Sequence, residues 1–432
     1  MSATPPDGAL IVSVAPGEVR VGRIEKGRLA EVLIQRGSQD TTGEIRRAIL
    51  RGKDAASGGG FLDVGDGIEA YLTNPGDAPL GAKLLVQITK PAIADKRAEA
   101  RRRIEIMGEA LILTPVSEGI EISRKLDRPA RDRLKAWGAA AGAKGLTIRT
   151  AAAAFTDQAL TGQLAALQRA WSALVPEGPP GLALAAPDPL TRAIAALDEG
   201  AGPICISGGH CAGYEGRLQV LPVGREAFAW FGLEEQLEAA LLPSVALSSG
   251  GRLHIDTTRM ATTVDIDTAG AASGEEVGRE AMVEIARQIR LRNLSGLILI
   301  DPPRKGPREP LLASLRVALA ADRVPSVIHG VTKAGLIEIS RPRLRPSLAE
   351  LMLAPAASVP SVAASLLSLL RQAAYGPLLK ALEVSRAGDA WLAGEGERAW
   401  LDFVRHVGYA PRRLVRSDVA DHYGRLIFPG EE

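Results

Sequence analysis

Three aspartates, Asp265, Asp267 and Asp301, are spaced as a metal-dependent hydrolase would require. Side chains alternate along an extended strand, so Asp265 and Asp267 are expected on one face and Val264 and Ile266 on the other. Asp301 ends the next apolar run, where the chain must leave its strand. Clustered carboxylates repel one another, and a hard cation such as Mg²⁺ relieves that repulsion. The spacing therefore predicts chemistry that uses Mg²⁺.

A strand–helix–strand path is expected to bring these carboxylates together. The intervening segment begins with Ser273 and Glu276 in the arrangement of a capping box, which is typical of a helix N-terminus. Apolar residues then recur at helical spacing, namely Met282, Ile285, Ala286 and Ile289. Since such a crossover returns the second strand beside the first, the aspartates can meet at one end of a sheet.

Length and composition limit the class of protein. The chain has 432 residues, and roughly two to four domains are expected at this length. Its formal net charge is only +2, so nucleic-acid binding would depend on local basic patches. The N-terminus lacks a signal-peptide pattern, and no apolar run approaches the ~20 residues of a membrane span. Cys205 and Cys211 are the only cysteines, which argues against a disulfide framework and predicts a cytoplasmic protein.

The N-terminal third is predicted to be rich in short strands. Residues 8–35 alternate apolar and polar types around glycine turns, which predicts a hairpin or meander. Residues 44–90 contain strand-like runs separated by glycines, a pattern typical of a small barrel such as an OB-fold. Phe61 and Tyr71 lie in this segment and Lys96 follows it. Aromatic side chains on an OB-fold surface stack on bases, although aromatic residues in strands also fill cores.

The middle and end of the chain are predicted to be mixed. Residues 95–103 are basic and read as helix or loop, residues 129–141 and 159–174 as helices, and residues 176–189 as a linker. Residues 310–321 are expected to form a helix that precedes two strands. Residues 361–428 read as a small domain with the order helix, two short strands, helix and strand.

Several motifs leave alternatives open. Asp-x-Asp also occurs in nucleotide-sugar transferases and on polar strand faces, but residues 14–17 lack the nucleotide-binding glycine loop that a transferase would need. Arg149 and Thr150 could clamp a phosphate or lie on a solvated surface. Cys205, His210 and Cys211 lack the spacing of a zinc site.

The arginine clusters are equally ambiguous, because they could contact an RNA backbone or only solvate the surface. They are Arg101, Arg102 and Arg103, then Arg287, Arg290 and Arg292, and finally Arg341, Arg343 and Arg345.

The segments around the aspartates carry a family resemblance. Residues 262–268 read Thr-Thr-Val-Asp-Ile-Asp-Thr, residues 294–301 Leu-Ser-Gly-Leu-Ile-Leu-Ile-Asp, and residues 335–344 Gly-Leu-Ile-Glu-Ile-Ser-Arg-Pro-Arg-Leu. Together these stretches resemble the catalytic region of the ribonuclease E/G family. A weaker resemblance extends over nearly the whole chain, including Gly-Phe-Leu-Asp-Val-Gly at 60–65 and Gly-Leu-Thr-Ile-Arg-Thr at 145–150.

The resemblance implies an α/β multidomain fold. Its expected parts are an RNase H-like core in two pieces (1–39 and 194–240), an inserted OB-fold β-barrel that binds RNA (40–101), a 5′-sensor domain (102–193), a catalytic α/β, DNase I-like unit (241–353) and a small C-terminal α/β domain (359–432).

The resemblance also implies roles for individual residues. The family cuts single-stranded RNA endonucleolytically and leaves a 5′-phosphate. By position, Asp265 and Asp301 would hold Mg²⁺, while Asp267 stands where the family usually has an asparagine that positions water or the scissile phosphate. The residues that would hold RNA are Phe61, Tyr71, Lys96, Arg149 and Thr150, the last two at the 5′ end.

Three departures from the family pattern bear on activity, and a further one concerns zinc. One of the three is Asp267, whose added negative charge beside the metal could strengthen metal binding or displace the phosphate. Residues 258–261 read Thr-Arg-Met-Ala in place of Thr-Glu-Ala-Leu, so Arg259 replaces a carboxylate. Residues 301–305 read Asp-Pro-Pro-Arg-Lys in place of Asp-Phe-Ile-Asp-Met, so Arg304 replaces an aspartate. The Cys-Pro-x-Cys zinc link should follow residue 351, where no cysteine is found, so zinc is not expected.

The sequence as a whole predicts a cytoplasmic, Mg²⁺-dependent endoribonuclease that acts on single-stranded RNA in processing or decay. The alternative is a catalytically impaired RNA-binding protein on the same scaffold. Intact Asp265 and Asp301 favour the enzyme, whereas Arg259 and Arg304 favour the binding protein. A homodimer that forms without zinc, paired through helical residues 362–373, is also possible.

Overall fold

The structure is a computed structural model that describes residues 3–36, 41–92, 97–123, 126–200, 202–211, 214, 216–268, 273–303, 308–354 and 359–431. Lys96 and Arg304 therefore lie outside the described residues. The chain forms two compact units. The first comprises Met1–Ile34, Pro203–His210 and Gly216–Glu432, and the second Gln35–Gly202 and Cys211–Glu215.

Both units contain strands and helices. The strands are β1 (Leu10–Ala15), β2 (Glu18–Glu25), β3 (Arg28–Arg36), β4 (Ile45–Lys53), β5 (Gly60–Asp63), β6 (Glu69–Leu72), β7 (Lys83–Lys90), β8 (Ala98–Arg101), β9 (Ile106–Met107), β10 (Leu111–Leu113), β11 (Ile120–Ile122), β12 (Leu146–Ile148), β13 (Gly181–Leu184), β14 (Ile204–Ser207), β15 (Leu218–Val220), β16 (Ser244–Ala246), β17 (Arg252–Thr257), β18 (Ala261–Asp267), β19 (Gly296–Asp301), β20 (Val327–Val331), β21 (Ile337–Arg341), β22 (Ala381–Ser385), β23 (Arg412–Arg416) and β24 (Gly424–Ile427).

The helices are α1 (Arg128–Ala140), α2 (Asp157–Ser172), α3 (Pro189–Leu197), α4 (Ala227–Trp230), α5 (Leu233–Ala239), α6 (Gly274–Leu291), α7 (Arg308–Leu319), α8 (Leu348–Met352), α9 (Val362–Tyr375), α10 (Arg386–Ala393) and α11 (Glu397–Val407), and a 3₁₀ helix covers Thr150–Ala154.

The first unit begins with a five-stranded sheet in the order β15-β14-β1-β2-β3. Strands β1, β2 and β3 form the meander that the alternating sequence predicted, so that prediction is confirmed. Strand β14 joins β1 in parallel, although some 190 residues separate them in the sequence. Ile11, Phe228 and Leu237 are buried in one core, so α4 and α5 pack with this sheet.

A six-stranded sheet follows in the order β16-β17-β18-β19-β21-β20. The chain leaves β18, forms α6 and returns as β19 parallel to β18, which confirms the predicted strand–helix–strand path. Ser273 caps α6, since its side chain accepts a hydrogen bond from the N–H of Glu276. Ile285 and Ile289 on α6 are buried against the sheet in a core that also includes Leu315 of α7. One face of the sheet is thus covered by helices.

The C-terminal segment of this unit is a three-stranded sheet in the order β23-β22-β24. Three helices, α9, α10 and α11, pack on it around a core that contains Leu366, Leu370 and Phe403. The predicted order of helix, two short strands, helix and strand is wrong, because the structure has one strand, two helices and then two strands after α9. The expectation of a small α/β fold at this position is correct.

The second unit contains a closed barrel. Strands follow one another in the order β4-β5-β6-β8-β7, and β7 also pairs with β4 to close the ring. The barrel predicted from residues 44–90 is therefore confirmed. Two predictions beside it are wrong: residues 95–103 contain the strand β8, and residues 176–189 contain β13, which pairs with β4. Both strands are short, and distant partners rather than local sequence stabilise them.

The remainder of the second unit is a four-stranded sheet in the order β11-β12-β10-β9. The predicted helices at 129–141 and 159–174 are present as α1 and α2. Leu134 and Trp137 of α1 and Leu164 of α2 share a core with Ile148 of β12. This layered arrangement positions Arg149, which directly follows β12, and Thr150, the first residue of the 3₁₀ helix.

Arginines of α6 and β21 bind carboxylates inside the first unit. Arg290 donates hydrogen bonds of 2.9 and 2.8 Å to the two carboxylate oxygens of Glu25. Arg341 pairs with Asp322 at 2.7 Å, and both side chains are 1% exposed. The two alternatives considered for these arginines, RNA contact or solvated surface, are both wrong for Arg290 and Arg341. Their role is to join elements of the fold.

Among the described residues, no helix is both long and apolar enough to span a membrane.

Candidate active site

The aspartates lie on the outer face of the six-stranded sheet. Along β18, Val264 and Ile266 are buried in the core, whereas Asp265 and Asp267 are exposed. Asp301, the last residue of β19, is exposed as well. The predicted alternation is confirmed. Because α6 and α7 cover the other face, the carboxylates remain open to a ligand.

The strand register brings two of the three aspartates together. Asp265 lies directly beside Asp301 in the parallel pairing of β18 with β19. Neighbouring strands are about 4.8 Å apart, so the two side chains leave the sheet within reach of a single cation. Asp267 is two residues further along β18, beyond the end of that pairing, and lies opposite Arg252 of β17. The three aspartates are therefore not equivalent, and the first two form a pair.

Among the described residues, no cationic side chain pairs with these two carboxylates. In the described part of the chain, neither Asp265 nor Asp301 has a side-chain hydrogen bond or ion pair. Among the same residues, no group of three or more His, Cys, Asp or Glu side chains is arranged to hold a metal ion. The pair would thus supply two oxygen ligands, and Mg²⁺ commonly completes its coordination with water and substrate phosphate. The donor set fits a hard divalent cation.

Two further polar residues share this face, and the sequence reasoning missed both. His254 of β17 lies opposite Asp265, and Glu338 of β21 lies opposite Leu299 of β19. Both side chains are half-buried. The alternation of Arg252-Leu-His254-Ile-Asp along β17 would have placed His254 on the aspartate face. A single histidine in a strand has no characteristic spacing, which is why it did not stand out.

Arg259 lies away from the carboxylate pair. It belongs to the turn between β17 and β18, which Thr258 stabilises by donating from Oγ1 to the carbonyl of Ala261 at 2.9 Å. At about 3.3 Å per residue, the strand from Ala261 to Asp265 spans roughly 13 Å. Arg259 is therefore at the other end of the strand from Asp265. The replacement of a carboxylate by this cation does not neutralise the pair.

An aromatic pair lies on the outer surface of the barrel. Phe61 of β5 and Tyr71 of β6 are in register, with ring centroids 5.7 Å apart in an edge-on arrangement. Their strand neighbours Leu62 and Ala70 are buried inside the barrel, so the two half-buried rings face outward. A Cβ at Gly59 would lie 1.9 Å from the Tyr71 hydroxyl oxygen, so only glycine leaves room for this ring.

Arg97 completes this aromatic surface and was also missed. Its guanidinium lies 5.2 Å from the centroid of the Phe61 ring and pairs with Glu69 at 2.7 Å. The neighbouring Lys96, which the sequence suggested as the phosphate contact, lies outside the described residues. Because residues 95–103 were predicted to be helix or loop, β8 was not expected. The position of Arg97 beside the aromatic pair could therefore not be inferred from the sequence.

Arg149 and Thr150 are held by the protein itself. The guanidinium of Arg149 donates to the carbonyl of Glu109 at 3.0 Å and to the carbonyl of Ala195. The Thr150 hydroxyl is hydrogen-bonded to the Ser123 hydroxyl at 2.8 Å. Both residues are half-buried. A phosphate at this position would have to use the N–H groups of Arg149 that these carbonyls leave available.

Tyr214 is a buried neighbour of Arg149. Its side chain is 5% exposed, and its hydroxyl has no hydrogen-bond partner among the described residues. Burial, reinforced by the charge of Asp198 and opposed by that of Arg149, raises the pKa of Tyr214 to about 12. The phenol therefore stays protonated at neutral pH and presents a neutral donor beside the guanidinium.

Comparisons with known proteins match both the segment that contains Arg149 and the sheet that contains Asp265 and Asp301. A family model described as Ribonuclease E/G family matches residues 105–199 and 211–344. Ribonuclease G of Escherichia coli strain K12 is 30% identical over 404 residues, covering 78% of this chain and 80% of that protein. Ribonuclease E of the same strain is 31% identical over 304 residues, covering 62% of this chain and 28% of that protein. Ribonuclease G of Haemophilus influenzae is 27% identical over 403 residues. The family match includes Arg149, Asp265 and Asp301.

Proposed function

Because the chain belongs to the ribonuclease E/G family, we propose that it is an endoribonuclease. It hydrolyses single-stranded RNA, depends on Mg²⁺ and leaves 5′-phosphate products. The observation that carries this proposal is the register of Asp265 beside Asp301 on an open sheet face, with no internal cation among the described residues. Two adjacent carboxylates without a counter-charge are costly unless a cation joins them. The site is thus prepared for a metal.

The residues of this face divide the chemical work. Asp265 and Asp301 hold the cation, which when bound stabilises charge on the phosphate and lowers the pKa of water. Asp267, one alternation step along β18, orients water or the phosphate through its carboxylate. Burial of Val264 and Ile266 in the core fixes the strand, so the carboxylates are held without large reorganisation.

RNA binding is assigned to the second unit. Phe61 and Tyr71 stack on bases, and Arg97 and Lys96 meet the phosphate backbone. Support comes from the outward-facing ring pair and the guanidinium beside it. Arg149 and Thr150 contact the 5′-phosphate. Arg149 is close to the neutral donor Tyr214, so a phosphate there would meet hydrogen-bond donors of two kinds.

The finer classification of the fold is proposed with the function. The six-stranded sheet with α6 and α7 would be a DNase I-like catalytic unit, and the five-stranded sheet an RNase H-like core. The closed barrel would be an OB-fold RNA-binding domain, and the sheet with α1 and α2 a 5′ sensor. We place the protein in the cytoplasm, in RNA processing or decay.

A homodimer that forms without zinc stays a prediction. Leu366, Leu367 and Leu370 of α9 are buried in the core of the C-terminal segment. The apolar face of this helix is therefore already used and would not supply the dimer interface.

The direct experiment is cleavage of a 5′-monophosphorylated, A/U-rich single-stranded oligonucleotide. Wild type should cut internally in Mg²⁺, each downstream product should carry a 5′-phosphate, and Asp301→Asn should not cut. Asp256→Asn is the matched control, because Asp256 is exposed on the neighbouring strand but lies outside the pair. Tight RNA binding without aspartate-dependent cleavage would overturn the enzyme in favour of an RNA-binding protein.

A further inference from the structure

His254 has a role beside the carboxylate pair. We propose that its imidazole contacts the RNA phosphate that is being cleaved, as a hydrogen-bond donor on the side of Asp265 away from Asp301. The inference rests on the proposed function, since it assigns a substrate contact to the same site. The sequence pattern of the family region did not assign any role to this residue.

Register places His254 in one row with the pair. In the antiparallel pairing of β17 with β18, His254 lies opposite Asp265, which in turn lies beside Asp301. Directly opposed residues of an antiparallel pair have Cβ atoms about 4.5–5.5 Å apart. Leu253 and Ile255, which flank His254, are buried in the core, so the imidazole leaves the sheet on the aspartate face. The row therefore runs across three strands.

No contact among the described residues accounts for the position of the imidazole. Within the described residues, His254 has no side-chain hydrogen bond or ion pair, although it is half-buried. By contrast, His329 on β20 bonds to the hydroxyl of Ser340 at 2.8 Å. Buried polar groups are usually hydrogen-bonded in folded proteins, and the half-buried imidazole is thus available to a ligand. An open ring beside an open carboxylate pair is best explained by a ligand that meets both.

Charge indicates that this ligand is a phosphate. Strands β18 and β19 present the carboxylates of Asp265, Asp267 and Asp301 on this face, whereas β17 presents the donors Arg252 and His254. A phosphate oxygen placed next to carboxylates needs a cation on one side and N–H donors on the other. Asp256 lies two residues beyond His254 on β17, on the side opposite to Arg252. It is the only acidic side chain on the aspartate face of this strand.

The arrangement does not favour His254 as a third metal ligand. Among the described residues, no three such side chains are arranged to hold a metal ion, although His254, Asp265 and Asp301 share a row. An imidazole that only donates to the phosphate should leave the metal requirement unchanged. This difference separates the two roles experimentally.

Kinetics of His254 variants give the first test, with His329 as the matched control on the same sheet. His254→Leu should lower kcat/KM on single-stranded RNA about tenfold to hundredfold, the range for one hydrogen bond to a charged group. His254→Asn keeps an N–H donor and should recover part of that loss. The Mg²⁺ concentration for half-maximal rate should not move, and His329→Leu should leave kcat/KM unchanged.

Binding gives a second test that does not depend on cleavage. In an Asp301→Asn background, fluorescence anisotropy with a single-stranded oligonucleotide should show weaker binding, by at least about threefold, when His254→Leu is added. His329→Leu should leave the affinity unchanged. If wild type does not cleave at all, the proposed function fails, and this binding difference still decides the role of His254.

Three results would overturn the inference. The first is a His254→Leu variant whose kcat/KM and RNA affinity equal those of the wild type. The second is an equal loss in the Leu and Asn variants together with a lowered melting temperature, which indicates a structural role. The third is a large rise in the Mg²⁺ requirement with full recovery at high Mg²⁺, which indicates a metal ligand.

Discussion

Two sets of carboxylates in the first unit have opposite surroundings. Asp265 and Asp301 lie side by side on the open sheet face without a counter-charge in the described part of the chain. Glu284 on α6 and Asp322 after α7 are instead bound to arginines. Two adjacent carboxylates without a cation are unfavourable for folding. A carboxylate that is ion-paired with an arginine instead joins elements of the fold. We propose that this difference separates residues that bind a ligand from residues that stabilise the fold.

The paired set shows how thoroughly the protein neutralises carboxylates that it needs for structure. Glu284 accepts hydrogen bonds from Arg287 and from the side-chain amide of Gln288, and Arg28 lies at 3.2 Å. Burial alone would raise the pKa of Glu284, but the hydrogen bond and charge of Arg287 lower it below the ordinary value of 4.5. In the part of the chain that the structure describes, the open pair has no such compensation, and we therefore propose that it binds a cation.

The largest expected effect is on chemistry. Asp265→Asn or Asp301→Asn should reduce cleavage at least about 10³-fold, because stabilisation worth several kcal/mol is lost with the cation. Neither change should lower the melting temperature measured without metal, because removing one charge relieves repulsion within the pair. Cleavage assays and calorimetry on the same samples check both statements. A large loss of stability would show that the pair is structural.

A carboxylate that is ion-paired with an arginine should show the opposite result, namely a loss of stability with little change in cleavage. Arg341→Leu leaves Asp322 buried and unpaired, and breaking such a pair costs about 3–5 kcal/mol of unfolding free energy. Urea unfolding measures this loss, while kcat of the folded fraction should stay near the wild-type value. Arg343→Leu is the control, because Arg343 pairs with Glu350 at an exposed position. Comparable losses in both variants would contradict the distinction.

Arg149 is expected to have both a structural and a ligand-binding role, because part of its guanidinium already donates to backbone carbonyls. Arg149→Leu should remove the preference for a 5′-phosphate over a 5′-hydroxyl substrate. It should also cost about 1–3 kcal/mol of stability, because the carbonyls of Glu109 and Ala195 lose their donor. Rates on the two substrates and urea unfolding provide the measurements. Equal wild-type rates on both substrates would refute the 5′-end role of Arg149 and Thr150.

The smallest expected effect is on the pH dependence of stability. Burial alone would raise the pKa of Glu25, but the hydrogen bonds of Arg290 and the charge of Arg23 lower it below its ordinary value. The pKa of Glu284 is lowered as well. A carboxylate with a lowered folded pKa stabilises the protein above its unfolded pKa, near 4.5, and loses this contribution as pH falls through the folded value. Melting temperatures between pH 7 and 3 should therefore fall less steeply in Glu284→Gln than in wild type. Parallel curves would contradict this.

The meeting of Asp265 and Asp301 at one end of the sheet could be predicted because its signals are local. Alternation around Asp265 and the helical spacing of Ile285 and Ile289 together define a strand–helix–strand unit, which returns β19 beside β18, and the register itself is known only from the structure. The strand β8 could not be predicted, because four residues stabilised by β6 and β7 resemble a basic loop. Likewise Arg290 reads as a surface residue until its partner Glu25, more than 260 positions earlier, is known.

The central claim is that Asp265 and Asp301 touch the metal, and a change of metal preference tests it most directly. A thiolate binds softer cations better than Mg²⁺, so Asp301→Cys should be inactive in Mg²⁺ but regain cleavage in Mn²⁺ or Cd²⁺. We predict that its rate ratio between these metals and Mg²⁺ exceeds the wild-type ratio at least about tenfold, whereas Asp256→Cys keeps the wild-type ratio. An unchanged ratio in both Asp265→Cys and Asp301→Cys would contradict the account.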